Sequence, residues 1–206
     1  MSRFLALALL ALPAVVMAAP PAPSASLDQV SAHLKAVDTM TARFIQTGGN
    51  GKSIGGQLTL KRPGRVRFQY DKDVPLLVVG DGKALVMIDY QVKQVSRWPI
   101  GNSPLGVLLN PNRDLAKFAK VIADPTDGPM LVQARDARHP EFGVITIAFR
   151  RTAGAPGGLR LEGWTVVDAQ NNRSTVRLSD QRFNVAVSKD AFNWTDPRPR
   201  KPAGKL

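Results

Sequence analysis

Three stretches of this chain alternate between apolar and polar residues, and a period of two dictates sheet rather than helix. Val66, Phe68 and Tyr70 share one parity, while Arg65, Arg67 and Gln69 share the other. Ala42, Phe44 and Gln46 alternate in the same way with Thr41, Arg43 and Ile45, and Leu58 and Leu60 share a face within Gly56–Lys61. Strands of this kind have one apolar face and one wet, basic face, the signature of an antiparallel sheet packed on one side. The punctuation agrees. Gly48-Gly49-Asn50-Gly51, Lys61-Arg62-Pro63-Gly64 and Gly80-Asp81-Gly82-Lys83 are turns, and the Asp-Gly pair favours a tight hairpin. The apolar runs Leu76–Val79 and Ala84–Ile88, then Gln91–Trp98, continue the meander. Later strands are predicted at Met130–Ala137, Gly143–Arg151, Gly158–Val167, Ser174–Leu178 and Phe183–Val187, with a last one near Phe192–Trp194. Two short helices, Pro104–Leu109 and Arg113–Lys120, interrupt the middle. A sheet of so many strands must curl, and its concave face is then either covered or left as a cavity.

One longer helix precedes the sheet. Ser26 is placed to cap it, and Asp28 puts a negative charge near that end. Leu27, Val30, Leu34, Val37 and Met40 fall on one face at helical spacing. No internal repeat or composition break divides the chain. The expectation is one domain over residues 26–196, between a flexible leader at 19–25 and a basic, Pro-rich tail at 197–206.

The first residues have the order of a secretory signal: Arg3, then an apolar run from Phe4 to Val16, then small residues. The run is too short for a helix across a bilayer, which needs roughly 20 residues. Val16 and Ala18 suit the −3 and −1 positions, which places cleavage after Ala18, so residues 1–18 are predicted to be removed; the alternative is an uncleaved anchor helix. The implied compartment is the periplasm. There is no cysteine. That excludes disulfides, thiolate metal sites and a cysteine nucleophile, and it also excludes a lipidated N-terminal cysteine.

Formal charge is +12. For a cytosolic protein this would suggest nucleic acid; after export an acidic protein partner or an anionic membrane surface is the better reading, with no nucleic acid. A solvated basic surface without a partner is the competing one. Catalytic patterns are absent. His33 and His139 stand apart from any metal-ligand spacing, His33 as a packed histidine of the helix and His139 as a loop residue. Asp71 and Asp73 are turn carboxylates. No nucleophile elbow or phosphate loop occurs.

The segment Leu58 to Leu109 stands out. It carries Lys61-Arg62-Pro63 before an aromatic-bearing strand, Asp81-Gly82-Lys83 before an apolar strand, Gln94-Val95, and Asn102-Ser103-Pro104 opening a helix. Phe44-x-Gln46 lies upstream. In this ordered set the chain resembles the LolA family, periplasmic carriers of outer-membrane lipoproteins, from about Leu27 to Trp194. The resemblance implies a mainly β fold with α: a strongly curved antiparallel sheet forming an unclosed half β-barrel, covered by the N-terminal helix and a short helical lid. It implies a monomer that is not an enzyme and uses no cofactor and no metal. It implies acylated lipoproteins as cargo, an inner-membrane lipoprotein-releasing transporter as donor and an outer-membrane lipoprotein receptor as acceptor. It assigns Arg62, with Pro63, as the lock that holds the lid closed through backbone carbonyls. The lid is Asn102–Asn110, with Asn102, Ser103, Pro104, Leu105, Val107, Leu108 and Leu109. The expected apolar cavity is lined by Phe44, Leu58, Leu60, Val66, Phe68, Tyr70, Val79, Val86 and Ile88.

The parity of Arg62 with Leu58 and Leu60 is compatible with this, since a guanidinium facing an apolar interior must find acceptors; a solvated turn arginine is the alternative. Leu105–Leu109 is equally compatible with a lid's underside or an ordinary buried helix. The chain departs from the family in Ala84–Ile88, which holds no aromatic residue, so a softer lining and a different cargo are open. Rival readings are a carrier of the same fold for a glycolipid or phospholipid, and a sensor of this fold. Sensors of that kind have a further C-terminal domain, for which the chain is expected to be too short.

Overall fold

In the computed structural model, residues 23–100, 106–112, 114–135 and 143–199 are described. The predicted signal, the tail beyond residue 199, His139 and the first half of the predicted lid lie outside them.

The helix α1 spans Pro23–Ala36. It starts three residues before the predicted cap, so Ser26 is a helical residue and not an N-cap. Its hydroxyl instead donates to Asp124 Oδ2 at 2.5 Å, tying the helix to the rim of the sheet. Val30, Leu34 and Val37 are buried to within 2% of complete, as the helical spacing required.

Among the described residues eleven strands follow: β1 (Thr39–Gly48), β2 (Ser53–Lys61), β3 (Arg65–Tyr70), β4 (Leu76–Asp81), β5 (Ala84–Asp89), β6 (Gln94–Pro99), β7 (Ala119–Ala123), β8 (Met130–Ala134), β9 (Val144–Arg151), β10 (Leu159–Val167) and β11 (Arg173–Phe183). They form one antiparallel sheet ordered β6-β5-β4-β3-β2-β1-β11-β10-β9-β8-β7. The chain enters at the middle, walks strand by strand to one edge, crosses to the other edge and walks back. The crossing carries the short helix α2 (Gly106–Leu109) and a 3-10 turn at Leu115–Lys117. The edge strands β6 and β7 are not paired with each other, so the sheet curls without closing. Register shifts between Thr41 and Arg43, Leu161 and Gly163, and Val121 and Ala123 mark bulges, which bend strands and sharpen the curl.

Four predicted elements differ. In place of the helix predicted at Arg113–Lys120, Leu115–Lys117 is a 3-10 turn followed by the unpredicted strand β7, because Lys120-Val121-Ile122 meets an open sheet edge. Ser174–Leu178 and Phe183–Val187 are not two strands. Arg173–Phe183 runs through, and residues 184–187 leave the sheet. The strand predicted near Phe192–Trp194 is instead a 3-10 turn, Lys189–Phe192, capped by Ser188, whose hydroxyl accepts from the Asp190 amide.

The core fills the concave side of the sheet. Phe44, fully buried, is edge-on to Phe68 at 5.3 Å and to Tyr70 at 5.1 Å between ring centres. Gly56 pairs with Phe44 across the ladder and makes room for its ring: a Cβ there would stand 2.7 Å from the ring and 2.2 Å from the Gln69 carbonyl. Phe44→Ala should lower stability by about 3–5 kcal/mol. Gly56→Ala should lower it by about 1–3 kcal/mol through overpacking alone. Urea unfolding of both checks the pair, and a neutral Gly56→Ala would contradict this packing.

Candidate functional site

The concave face is where the sequence-predicted residues meet. Phe44, Leu58, Leu60, Val66, Phe68 and Tyr70 all lie there, each buried to 8% exposure or less. Residues not foreseen as lining join them. Leu34 comes from α1, Val37 from the residue just after it, Met40 from β1, and Leu161 and Trp164 from β10, with Phe68 edge-on to Trp164 at 6.1 Å. The aromatic residues absent from Ala84–Ile88 are supplied by these other strands. Tyr70 points its hydroxyl at Gln46 Oε1, 2.6 Å away, and burial pushes its pKa up to about 12, so it stays a neutral donor.

Val79, Val86 and Ile88 do not line this interior. They belong with Leu77 to a separate cluster covered by Val95, Phe192 and Trp194. The cross-strand register explains the correction. Phe68 pairs with Val78, and Val78 with Met87, so Val78 and Met87 share the concave side. Val79 pairs with Arg67 and with Val86, which puts those residues on the convex side. β4 and β5 are apolar on both faces because the segment after β11 straps across their convex side. Continuous apolar runs carry no parity signal. Arg67 fastens this strap by donating to the Asn193 carbonyl at 2.8 Å. It is therefore engaged within the molecule, and of the predicted basic pair Arg65 and Arg67 only Arg65 is left as an exposed cation.

Over the concave side sits α2. Leu108 and Leu109 are buried in the core with Leu115. Asn102, Ser103, Pro104 and Leu105 lie outside the described residues. The turn between β2 and β3 grips the end of this helix at two points. Arg62 Nη1 donates to the Leu108 carbonyl at 2.5 Å, and the Gly64 amide donates to the Leu109 carbonyl at 3.1 Å. These are carbonyls at the C-terminal end of a helix, which lack partners inside it. Arg62 Nε also donates to the Val37 carbonyl at 2.7 Å. One guanidinium thereby links α1, the turn and α2. Burial pulls its pKa down to about 10, with the Asp38 carboxylate opposing, so the group stays charged at neutral pH. Pro63 shapes the turn without touching the lid carbonyls. Gly64 has φ +72 and passes so close to Gly82 that a Cβ would stand 2.6 Å from the Gly82 Cα; only glycine fits there without strain. The Gly64 contact was not legible in the sequence, because a backbone donor has no side-chain signature.

The space left between α2, α1 and the sheet is a cavity of about 30 Å³, bounded by Leu60, Arg62, Val66, Leu108 and His33 among others. It has room for a water or two and none for a long alkyl chain. Around it the apolar side chains pack on one another. His33 is 3% exposed, with Nδ1 2.7 Å from the Pro156 carbonyl. The packed-histidine reading is what the structure has. Asp71 is also as expected, an exposed-side carboxylate, paired with Arg43 at 3.0 Å. Among the described residues no cluster of metal-ligating side chains occurs, and no helix is long and apolar enough to cross a membrane.

A family model described as "Outer membrane lipoprotein carrier protein LolA" matches residues 35–195. The chain is similar to an outer-membrane lipoprotein carrier protein of Chromobacterium violaceum, with 28% identity over 189 residues, covering 87% of this chain and 88% of that one. It is similar to another of Dechloromonas aromatica, with 30% identity over 183 residues and 84% of each chain covered. Two solved structures share the fold at a TM-score of 0.50. One is a putative outer membrane lipoprotein-sorting protein domain from Vibrio parahaemolyticus, at 10% identity, covering 82% of this chain and 95% of that one. The other is an uncharacterized conserved protein from Thermus thermophilus, at 11% identity, covering 87% and 96%. At such identities these two speak for the fold alone.

The two faces of the sheet, with Ile88 of β5 on one and Phe68 of β3 on the other, separate stability from binding. Ile88→Ala should lower stability by about 2–5 kcal/mol and leave the binding of a fluorescent apolar dye unchanged once the protein is folded. Phe68→Ala should alter both. Equal effects of the two substitutions on dye binding would contradict the assignment of faces.

Proposed function

The chain belongs to the family of outer membrane lipoprotein carrier proteins, LolA, and we propose that its concave interior takes up the acyl chains of lipoproteins and carries them across the periplasm to the outer membrane. As a member it is a carrier, a binding protein and not an enzyme. The donor in this reading is an inner-membrane lipoprotein-releasing transporter, the acceptor an outer-membrane receptor, and the carrier works as a monomer.

One observation carries the proposal: a charged arginine inside an apolar interior, bonded to the end of the short helix that covers it. Water does not tolerate the cargo, since each exposed CH₂ costs about 0.8 kcal/mol. A carrier must therefore bind strongly and still let go. In the closed form the interior packs against Leu108 and Leu109, and Arg62 and Gly64 hold the helix end. Cargo enters only if these contacts are given up, so the free energy of closure is subtracted from the free energy of binding. Release is then assisted, because the lid recloses as the chains leave. A guanidinium suits this role. It keeps its charge, so the donor itself is not titrated away near neutral pH, and its fixed fork reaches the Val37 and Leu108 carbonyls at once.

Arg62→Leu removes a charged hydrogen-bond donor whose bonds are worth about 1.5–3 kcal/mol. The variant should fold, hold lipoprotein roughly tenfold to a hundredfold more tightly, and hand it on poorly. A transfer assay from carrier to acceptor-bearing vesicles checks this. Normal transfer by Arg62→Leu would refute the lock. Purification of the carrier with glycolipid or phospholipid bound, and no acylated protein, would replace the cargo.

A further inference from the structure

His33 shares the closed cavity with Arg62. Its ring is edge-on to Phe149 at 5.7 Å and to Phe183 at 6.0 Å between centres, and Nδ1 lies against the Pro156 carbonyl. The 3-10 turn carrying that carbonyl packs so tightly on α1 that a Cβ at Gly157 would stand 2.6 Å from the His33 backbone. The imidazole therefore has no room to swing out to solvent while the fold is intact.

The charges around it are unbalanced. Among the cavity-lining residues α1 supplies Leu34 and the position just after it Val37, β10 supplies Leu161 and Trp164, and the lid Leu108 and Leu109, while the β2–β3 turn supplies the cation Arg62. Among the described residues no carboxylate lines the cavity. Of the groups on neighbouring elements, Asp28, Lys35 and Asp38 are exposed, and Asp38 acts on the Arg62 guanidinium from outside the cavity lining rather than on His33. Asp124 is held by Arg151 and Ser26, and Arg150, next to Phe149 on β9, is bonded to Glu162. Arg182, beside Phe183, shares its pairing row with Thr41, on the face away from the core.

We propose that His33 makes the lid acid-responsive: protonating it places a second cation beside Arg62 in a cavity without a counter-ion, and the lid opens to let water in. This rests on the carrier reading of the same interior and adds its regulation. Burial and the Arg62 charge both lower the His33 pKa in the closed form, against the Pro156 and Leu159 carbonyls, which raise it. The sign follows. Above the ordinary value of 6.5 the ring is neutral in both forms and closure is unaffected. As pH falls below 6.5 the open, hydrated form takes up the proton first, and the equilibrium moves toward open. Each pKa unit separating the two forms is worth about a factor of ten in that equilibrium.

The Gly64 amide reports the lid directly, because its acceptor is the Leu109 carbonyl. In the full chain, the protection factor of this amide should fall roughly fivefold to tenfold between about pH 7.5 and 5.5. Over the same range the binding of neutral N-phenyl-1-naphthylamine should tighten. His33→Gln keeps a hydrogen-bond donor for Pro156 but cannot titrate, and should show neither change; His33→Asn is the second variant if Gln disturbs α1. Variants folded at about pH 7.5 with unchanged Gly64 protection are the valid comparison. If Gly64 protection falls with pH equally in wild type and the variants, or falls in none, the His33 proposal is overturned. If Gly64 responds to pH only with His33 present, yet neither the dye nor lipoprotein binds at any pH, His33 is confirmed and the carrier reading fails instead.

Discussion

An open, curled sheet with an apolar concave face cannot be left facing water, and much of this molecule is an answer to that constraint. The face built by Phe44, Leu58, Leu60, Val66 and Phe68 is large, and the edges β6 and β7 do not meet to close over it. Two covers do the job. The first, α1, is anchored near both ends: Ser26 to Asp124 at one, and the carbonyl of Val37, the residue just past the other, to Arg62. The second, α2, is four residues long. An isolated helix of that length has no stability of its own. It exists here because Leu108 and Leu109 are buried and because its terminal carbonyls are taken by the β2–β3 turn. A cover that is weak by itself and held by a few identifiable contacts is one that can be lifted.

Arg62 is the contact on which both covers depend. An unpaired guanidinium in an apolar interior would be costly, and the surrounding backbone satisfies it with carbonyls rather than a carboxylate. The choice matters. A buried carboxylate would make a tight pair with a strong preference for one state. Carbonyls at a helix end tie Arg62 to α2 less strongly than a carboxylate would. The convex side shows the same economy with Arg67, whose bonds to the segment after β11 keep Phe192 and Trp194 over Leu77, Val79, Val86 and Ile88.

Much of this was legible in the sequence, for physical reasons. Val66, Phe68 and Tyr70 alternate cleanly with Arg65, Arg67 and Gln69 because β3 has one dry face near its ends, so its parity could be read. Val79, Val86 and Ile88 were assigned to the wrong face because both faces of β4 and β5 are dry, and the strap that dries the outer one comes from the far end of the chain. The strand β7 was missed because a five-residue edge strand owes its conformation to a neighbour, not to its own pattern. Ser26 has the chemistry of a cap, but its hydroxyl is claimed by Asp124 across the fold. The parity of Arg62 and the motif around it pointed to an inward role, whereas the Gly64 amide and the Val37 carbonyl are backbone groups that no residue identity announces.

The strand order also governs how this chain assembles. β1 and β11 are neighbours at the centre of the sheet, yet they lie near opposite ends of the sequence. Synthesis delivers the N-terminal half first, so β1 to β6 can pair locally while the free edge of β1 waits for Arg173–Phe183 to emerge. Pairing over such a separation is slow, and for its duration the row of open amides and carbonyls along Thr39–Gly48 is a template for any extended segment nearby. That edge carries Thr41, Arg43, Ile45 and Thr47 on its outer face, a mostly polar and partly charged flank with one exposed apolar residue, Ile45. The polarity of β1's outward residues thus guards the growing chain against mispairing before it ever meets a lipid.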